Sequence, residues 1–296
     1  MPAHNISEGV NQIMPAKEIT QEPEVAETVE NLFVPAKKAI QRTGVKLFVW
    51  GGYGVGKTYL GLSFPAPIRV ISTEFGVSQL LHHFPDKDIG IMECTEPYTE
   101  APKKVRTGQT DDQPFAVDPV VSLRKVEKAS LALKDMEGGT IILDSGTDLW
   151  SWLGAWIELT AEKQYSKTGG MMRTEWSKAN ARYRTILMRL LSRPTHFVMT
   201  GRSQQVYDGQ GNQTAMEKFA AQKETPYFAD IIIHLTKKPR QNVDVSTGKV
   251  TGSVLQRIGI IEKCRFGDVN NMAVTDPTYD SLKEALKTNV PPGVFS

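Results

Sequence analysis

Gly51, Gly56, Lys57 and Thr58 stand at the spacing G-x-x-x-x-G-K-[ST], between the apolar run "VKLFVW" and the helix-like run "TYLGLSF". Glycines at this spacing let consecutive backbone N–H groups curl around anion oxygens, with the positive end of the following helix behind them. A phosphate-binding loop is therefore expected over Gly51, Gly52, Tyr53, Gly54, Val55, Gly56, Lys57, Thr58 and Tyr59. Lys57 would reach the β- and γ-phosphates of a nucleotide, and the Thr58 hydroxyl would ligate Mg²⁺. A second acidic element follows: "GTIILD" is an apolar strand ending in Asp144. A carboxylate at that strand end lies beside the phosphate loop and can hold Mg²⁺ through water. The bland alternative is a capping aspartate, and Asp148, beyond the strand, is a weaker metal candidate. In "IRVISTEFG", Glu74 ends the next strand after the loop helix. That place suits a general base that deprotonates attacking water, against the alternative of a solvated strand-end glutamate.

The elements that must position these groups alternate along the chain. Short β-rich runs, "VKLFVW", "IRVIST", "IGIMEC", "GTIILD", "HFVMTG", "ADIIIHLT" and "LQRIGIIEK", are separated by amphipathic stretches. The latter follow the glycine loop and cover Val120 to Lys134, Leu149 to Glu162 and Thr174 to Ser192. Nearly continuous apolar strands alternating with helices predict an α/β fold with a mainly parallel sheet covered on both faces. Residues 1 to about 30 are polar and acidic without apolar period, so residues 1–40 are expected to be a flexible extension and linker, and 41–296 the folded domain. The segment Thr95 to Asp118 reads as an exposed insertion.

Composition sets outer bounds. A chain of 296 residues with 40% hydrophobic residues can bury one large core. The net charge of +2 announces no polyanionic partner, so any basic surface must be local. Cys94 and Cys264 fit no metal or redox spacing and read as reduced thiols. No apolar stretch approaches the ~20 residues that cross a bilayer, and no secretory pattern opens the chain. A cytoplasmic protein without membrane contact is expected.

With its motifs in this order, the chain resembles the RecA-like recombinase ATPases, and more closely the compact phage RecA-like proteins associated with single-strand annealing. "VISTEFG" is similar to the family strand ending in the catalytic glutamate, and "IILDSGTDL" to its Walker B strand. "HFVMTGRSQ" is similar to the strand whose end senses the γ-phosphate. The resemblance implies a RecA-like P-loop core with a short antiparallel C-terminal extension, ATP and Mg²⁺ as ligands, and Thr200 as the sensor, with Arg202 nearby. In "IGIIEKCRFG" it implies that Lys263 and Arg265 reach the γ-phosphate of a neighbouring subunit in a ring or filament. It also implies hydrolysis stimulated by single-stranded DNA, annealing or strand exchange in phage recombination, and cooperation with a single-strand-binding protein. For a phage-encoded chain the location would be the host cytoplasm. An AAA+-type helicase loader or DNA motor is the alternative.

Two segments are candidates for the DNA-contacting loops of that family. "AEKQYSKTGGMMRTEWSKANARYR" offers Lys163, Lys167 and Arg173 around Gly169 and Gly170, with Tyr165 interleaved; cations tracking phosphates and rings stacking on bases are what such binding needs. From Thr174 onward it is expected to be an amphipathic helix with a solvated basic face and a buried Trp176. "RSQQVYDGQGNQTAMEKFAAQKETPY" offers Arg202 in a polar loop. Trp150, Trp152 and Trp156 are expected to pack in the core, because their spacing spreads them over more than one helical face. Phe33-x-x-Ala36 is similar to a short subunit-docking motif of eukaryotic relatives, although packing of Phe33 on its own core is the simpler reading.

Overall fold

Every residue of β1 (Lys46–Gly51) is buried, and its side chains divide by parity between two apolar layers. Leu47 and Val49 enter one, Phe48 and Trp50 the other, as the pleat of a doubly covered strand requires. In the computed structural model, which describes residues 44–98, 117–160, 173–243, 246, 249–291 and 293–295, eight further strands follow. They are β2 (Ile68–Ser72), β3 (Ile89–Glu93), β4 (Thr140–Asp144), β5 (His196–Tyr207), β6 (Gln213–Phe219), β7 (Ile231–Val243), β8 (Val250–Cys264) and β9 (Ala273–Thr275). The sheet order is β3-β2-β4-β5-β1-β7-β8-β9, with β6 paired to β5 off that path. Pairings from β3 through β7 are parallel, whereas β5–β6, β7–β8 and β8–β9 are antiparallel. The expected α/β architecture, a mainly parallel sheet with an antiparallel C-terminal extension, is what the chain forms.

The helices are α1 (Lys57–Leu62), α2 (Pro119–Ala132), α3 (Gly146–Thr160), α4 (Arg173–Leu191), α5 (Thr225–Phe228) and α6 (Tyr279–Leu286). Leu60 and Leu62 of α1 and Leu282 and Leu286 of α6 fill the layer of Leu47 and Val49. The opposite layer takes Leu123 and Val126 from α2, Leu149 and Leu153 from α3, and Tyr183 and Leu187 from α4. Local signals start these helices where tertiary packing needs them. Asp118 caps α2 by accepting from the N–H groups of Val120 (2.9 Å) and Val121 (3.1 Å), with Pro119 at the first position. A capping box between Thr278 and Ser281 opens α6.

Three features differ from expectation. The stretch after Arg202 is a β-hairpin, β5–β6, rather than a loop, with its turn closed by Asp208 accepting from Gln210 and Asn212. β7 runs on to Val243 through "KKPRQNV", pairing with β8 as a two-stranded ribbon. Pro239 disguises this strand in the sequence, but β7 leaves β1 after Leu235, and a residue without N–H is tolerated on a free edge. Trp176 is 36% exposed rather than buried, and covers Trp150 with ring centroids 5.8 Å apart. Trp152 is buried and Trp150 and Trp156 pack partly buried against the same core.

Lys46 is the charged residue of β1. Its ammonium reaches the turn that leads into β5, donating to the carbonyls of Arg193 (2.9 Å) and Thr195 (2.6 Å). Burial lowers its pKa from 10.5 to about 8, against the opposing influence of Asp230. Between those values the unfolded chain binds more protons at this position than the folded one, so the group adds stability as pH rises. Lys46→Met removes this titration. The unfolding free energy of the wild type minus that of the variant should rise by about 3 kcal/mol between pH 8 and 10.5, measured by urea melts.

Candidate functional site

β1, β2, β4 and β5 deliver their C-terminal ends to one edge of the sheet, and the chemistry-bearing residues gather there. Gly51 closes β1 with φ +151°, and a Cβ on it would strike the Leu235 carbonyl of β7. Gly56 caps α1 in the left-handed region, φ +96°. Side chains at these two positions would strain or block the loop. Lys57 is folded back on this loop, its Nζ donating to the carbonyls of Gly51 (3.1 Å) and Gly52 (2.7 Å). Burial lowers its pKa, opposed by the carboxylates of Glu74 and Asp144.

Asp144, 4% exposed, lies at the centre of the site. Thr58 donates to its Oδ2 at 2.8 Å, and Thr200 donates to its Oδ1. Burial raises the Asp144 pKa, and the two hydroxyl donors act against that rise. The hydroxyl of Thr58 and the carboxylate of Asp144 are hard oxygen donors side by side, which fits Mg²⁺ held by few protein groups together with nucleotide phosphates. The Asp144–Ser145 peptide is cis. Thr73 joins β2 to this strand end, its Oγ1 donating to the Ser145 carbonyl (3.0 Å) and accepting from the Ser145 N–H (2.6 Å).

Glu74 stands two residues beyond β2, whose last residue, Ser72, donates to the Glu74 carbonyl. Arg202 bridges Glu74 (3.2 Å) and Asp148 (3.0 Å). Asp148, in the first turn of α3, is raised to about 6 by burial and by the neighbouring Glu74, against donation from Ser145. Burial alone would raise Glu74, but its hydrogen bond to Asp148 and the charge of Arg202 outweigh this and hold it below the ordinary range. Of the two carboxyl groups, Asp148 carries the proton at mildly acidic pH and Glu74 the charge. The cavity over these groups measures about 870 Å³.

The structure thus brings together Gly51 to Tyr59, Glu74, Asp144, Thr200 and Arg202. Lys263 and Arg265 lie elsewhere. Lys263 pairs in register with Ile232, and its Nζ donates to the carbonyls of Pro226 and Ala229. Arg265 pairs with Asp230 at 3.0 Å. Both occupy the end of the sheet opposite their own phosphate loop. Lys163, Lys167, Tyr165, Gly169, Gly170, Phe33, Ala36 and the side chain of Arg173 fall outside the described residues. Further along α4 the cations are paired: Lys178 with Glu175, Arg182 with Glu127, and Arg184 with Glu224.

Two cations at the site escape the sequence reading, Lys237 and Arg257, which line the cavity from the β7–β8 ribbon. The signal that could find them is cross-strand register, visible only once "KKPRQNV" is accepted as a strand.

A family described as "AAA domain" matches residues 43–265. Among solved structures, the chain is similar to a KaiC-like protein from the hyperthermophilic archaeon Pyrococcus horikoshii OT3. The identity is 14% over 79% of this chain and 85% of that one, with a TM-score of 0.40. It is also similar to an ATPase from the type III secretion system of pathogenic bacteria, at 18% identity over 66% of this chain and 52% of that one, TM-score 0.39. No curated protein matches.

Thr200→Val keeps shape and burial but leaves Asp144 one donor short. It should lower the unfolding free energy by about 1.5–3 kcal/mol, the range for a hydrogen bond to a charged group. Thr200→Ser, which keeps the hydroxyl, should lose less in the same denaturant melts.

Proposed function

The chain belongs to the AAA-domain family of P-loop ATPases; we propose that it hydrolyses Mg²⁺-ATP and couples the cycle to single-stranded DNA, as the RecA-type recombinases that its motifs resemble would. The observation that carries the coupling is Arg202. It belongs at once to the catalytic cluster, through Glu74 and Asp148, and to the base of the β5–β6 hairpin. Its own N–H donates to Thr147 of α3 at 3.0 Å, which fixes the hairpin base to the site.

The loop N–H groups bind the phosphates, and Lys57 exchanges its two carbonyl acceptors for phosphate oxygens. Thr58 and Asp144 would hold Mg²⁺, which supplies neutralisation of charge on the β- and γ-phosphoryl oxygens. Glu74, ionised at neutral pH, accepts a proton from the attacking water. An incoming γ-phosphate competes with the two carboxylates for the Arg202 guanidinium. Release of Arg202 from Glu74 frees the base and shifts the hairpin that begins at the next residue. On that hairpin Tyr207 and Met216 are more than 60% exposed, and the Tyr207 ring offers a stacking surface to unpaired bases. Assembly into a ring or filament would let Lys263 and Arg265 act on a neighbour's nucleotide, after leaving their present carbonyl and carboxylate partners. Annealing or strand exchange in phage DNA recombination, with a single-strand-binding protein, is the setting that the sequence resemblance supports.

A second reading, a helicase loader or DNA motor, is favoured by the description of the matched family. Both readings share the nucleotide chemistry and differ in what DNA does to it.

Lys57→Ala should abolish nucleotide binding. Glu74→Gln should still bind ATP but hydrolyse it about 10²- to 10⁴-fold more slowly. Wild-type turnover should rise with single-stranded oligonucleotide at low salt, and the binding should weaken as salt increases. An unchanged rate in Glu74→Gln removes that residue as the base. Turnover indifferent to single-stranded DNA at low salt removes the recombinase reading and leaves the loader.

A further inference from the structure

The β7–β8 ribbon leaves the sheet directly above the phosphate loop, and its register sets Lys237 opposite Arg257. Like charges directly opposed on one face of an antiparallel pair repel each other, so this arrangement costs stability unless an anion is placed between or beside them. Arg257 has partial compensation. Its guanidinium lies 3.5 Å from Asp276 and 4.5 Å from the Tyr59 ring centroid. Lys237 is exposed, and among the described residues no carboxylate pairs with it.

Both cations are pressed on the loop rather than held away from it. A Cβ at Gly56 would come within 2.9 Å of Arg257 Cδ, and one at Gly54 within 3.7 Å of Lys237 Nζ. The same cavity is lined by Lys57 from the loop and by Leu255 from the ribbon. Lys57, Arg202, Lys237 and Arg257, all from one chain, therefore line one cavity over the phosphate loop.

We propose that the β7–β8 ribbon is a clamp supplied in cis, in which Lys237 binds the polyphosphate of a nucleoside triphosphate and Arg257, stacked on Tyr59, positions the strand that carries it. The proposal rests on the nucleotide reading above and adds a ligand to it. The anion between Lys237 and Arg257 relieves their repulsion, so nucleotide binding and ribbon position are linked. The clamp comes from the same chain as the loop, so it acts whether or not a neighbouring copy is present.

The test is calorimetric binding to the full chain, in Mg²⁺, of an ATP analogue with a non-hydrolysable β–γ bridge and of AMP. Lys237→Ala should weaken the analogue about tenfold and AMP far less, as expected for loss of one charge-assisted contact to the polyphosphate. Lys237→Arg should recover most of the loss. Equal affinity of Lys237→Ala and wild type for the analogue, or equal weakening of analogue and AMP, overturns the clamp. A mixture of Lys237→Ala and Lys57→Ala protomers tests its origin. No recovery of analogue binding is expected, and recovery overturns supply in cis, because the intact Lys237 would then be acting between chains. Lys57→Ala alone separates the two levels. If it loses binding while Lys237→Ala does not, only the clamp falls; if it binds normally, the nucleotide reading falls with it.

Discussion

A carboxylate with almost no access to water has to find its hydrogen bonds inside the protein, and Asp144 finds them on two different elements. Thr58 opens the helix after the phosphate loop, and Thr200 lies in the strand between the loop strand and that of Asp144. Satisfying one buried acid therefore fixes the spacing between three elements whose ends must cooperate. Thr73 and Ser145 repeat the same logic one strand further on, exchanging hydrogen bonds that lock the approach to Glu74. Loss of any one partner leaves an unsatisfied group in a low-dielectric place, which is costlier than loss of an exposed contact.

The sheet built around this acid sends its parallel strand ends to the nucleotide edge and its structural cations to the other. Lys46, Lys263 and Arg265 are all satisfied at the far edge, by backbone carbonyls and Asp230. Lys57, Arg202, Lys237 and Arg257 gather at the near one. The overall charge of +2 conceals this separation. Local placement, not net balance, produces an anion site.

How much of this could be read from residue order follows from range. The phosphate loop, Asp144 and Glu74 are short motifs on strongly apolar strands, so their chemistry and position are encoded within a few residues of each other. The seven main strands and the helices α1 to α4 are legible for the same reason. β6 and the outer half of β7 are not, because "QTAMEKF" and "KKPRQNV" carry polar side chains on both faces and lack the alternation that marks a half-buried strand. Their pairing is decided by the partner strand, which is remote information. Arg257 is missed for the same reason: it sits in an expected strand, yet only the register with Lys237 reveals what it faces.

Gly201, between Thr200 and Arg202, has the Phe219 ring where its side chain would be. The hairpin is thus seated on the core at one bare backbone position, next to a residue that answers to the site. From there β5 continues free of the parallel sheet for the five residues Ser203–Tyr207, roughly 17 Å of strand at ~3.3 Å per residue. Such an arm has mechanical gain: a tilt of about 5° at its fulcrum moves the far end by about 1.5 Å, given that length. A displacement too small to disturb the close-packed fulcrum would arrive at the tip as a change comparable to a bond length.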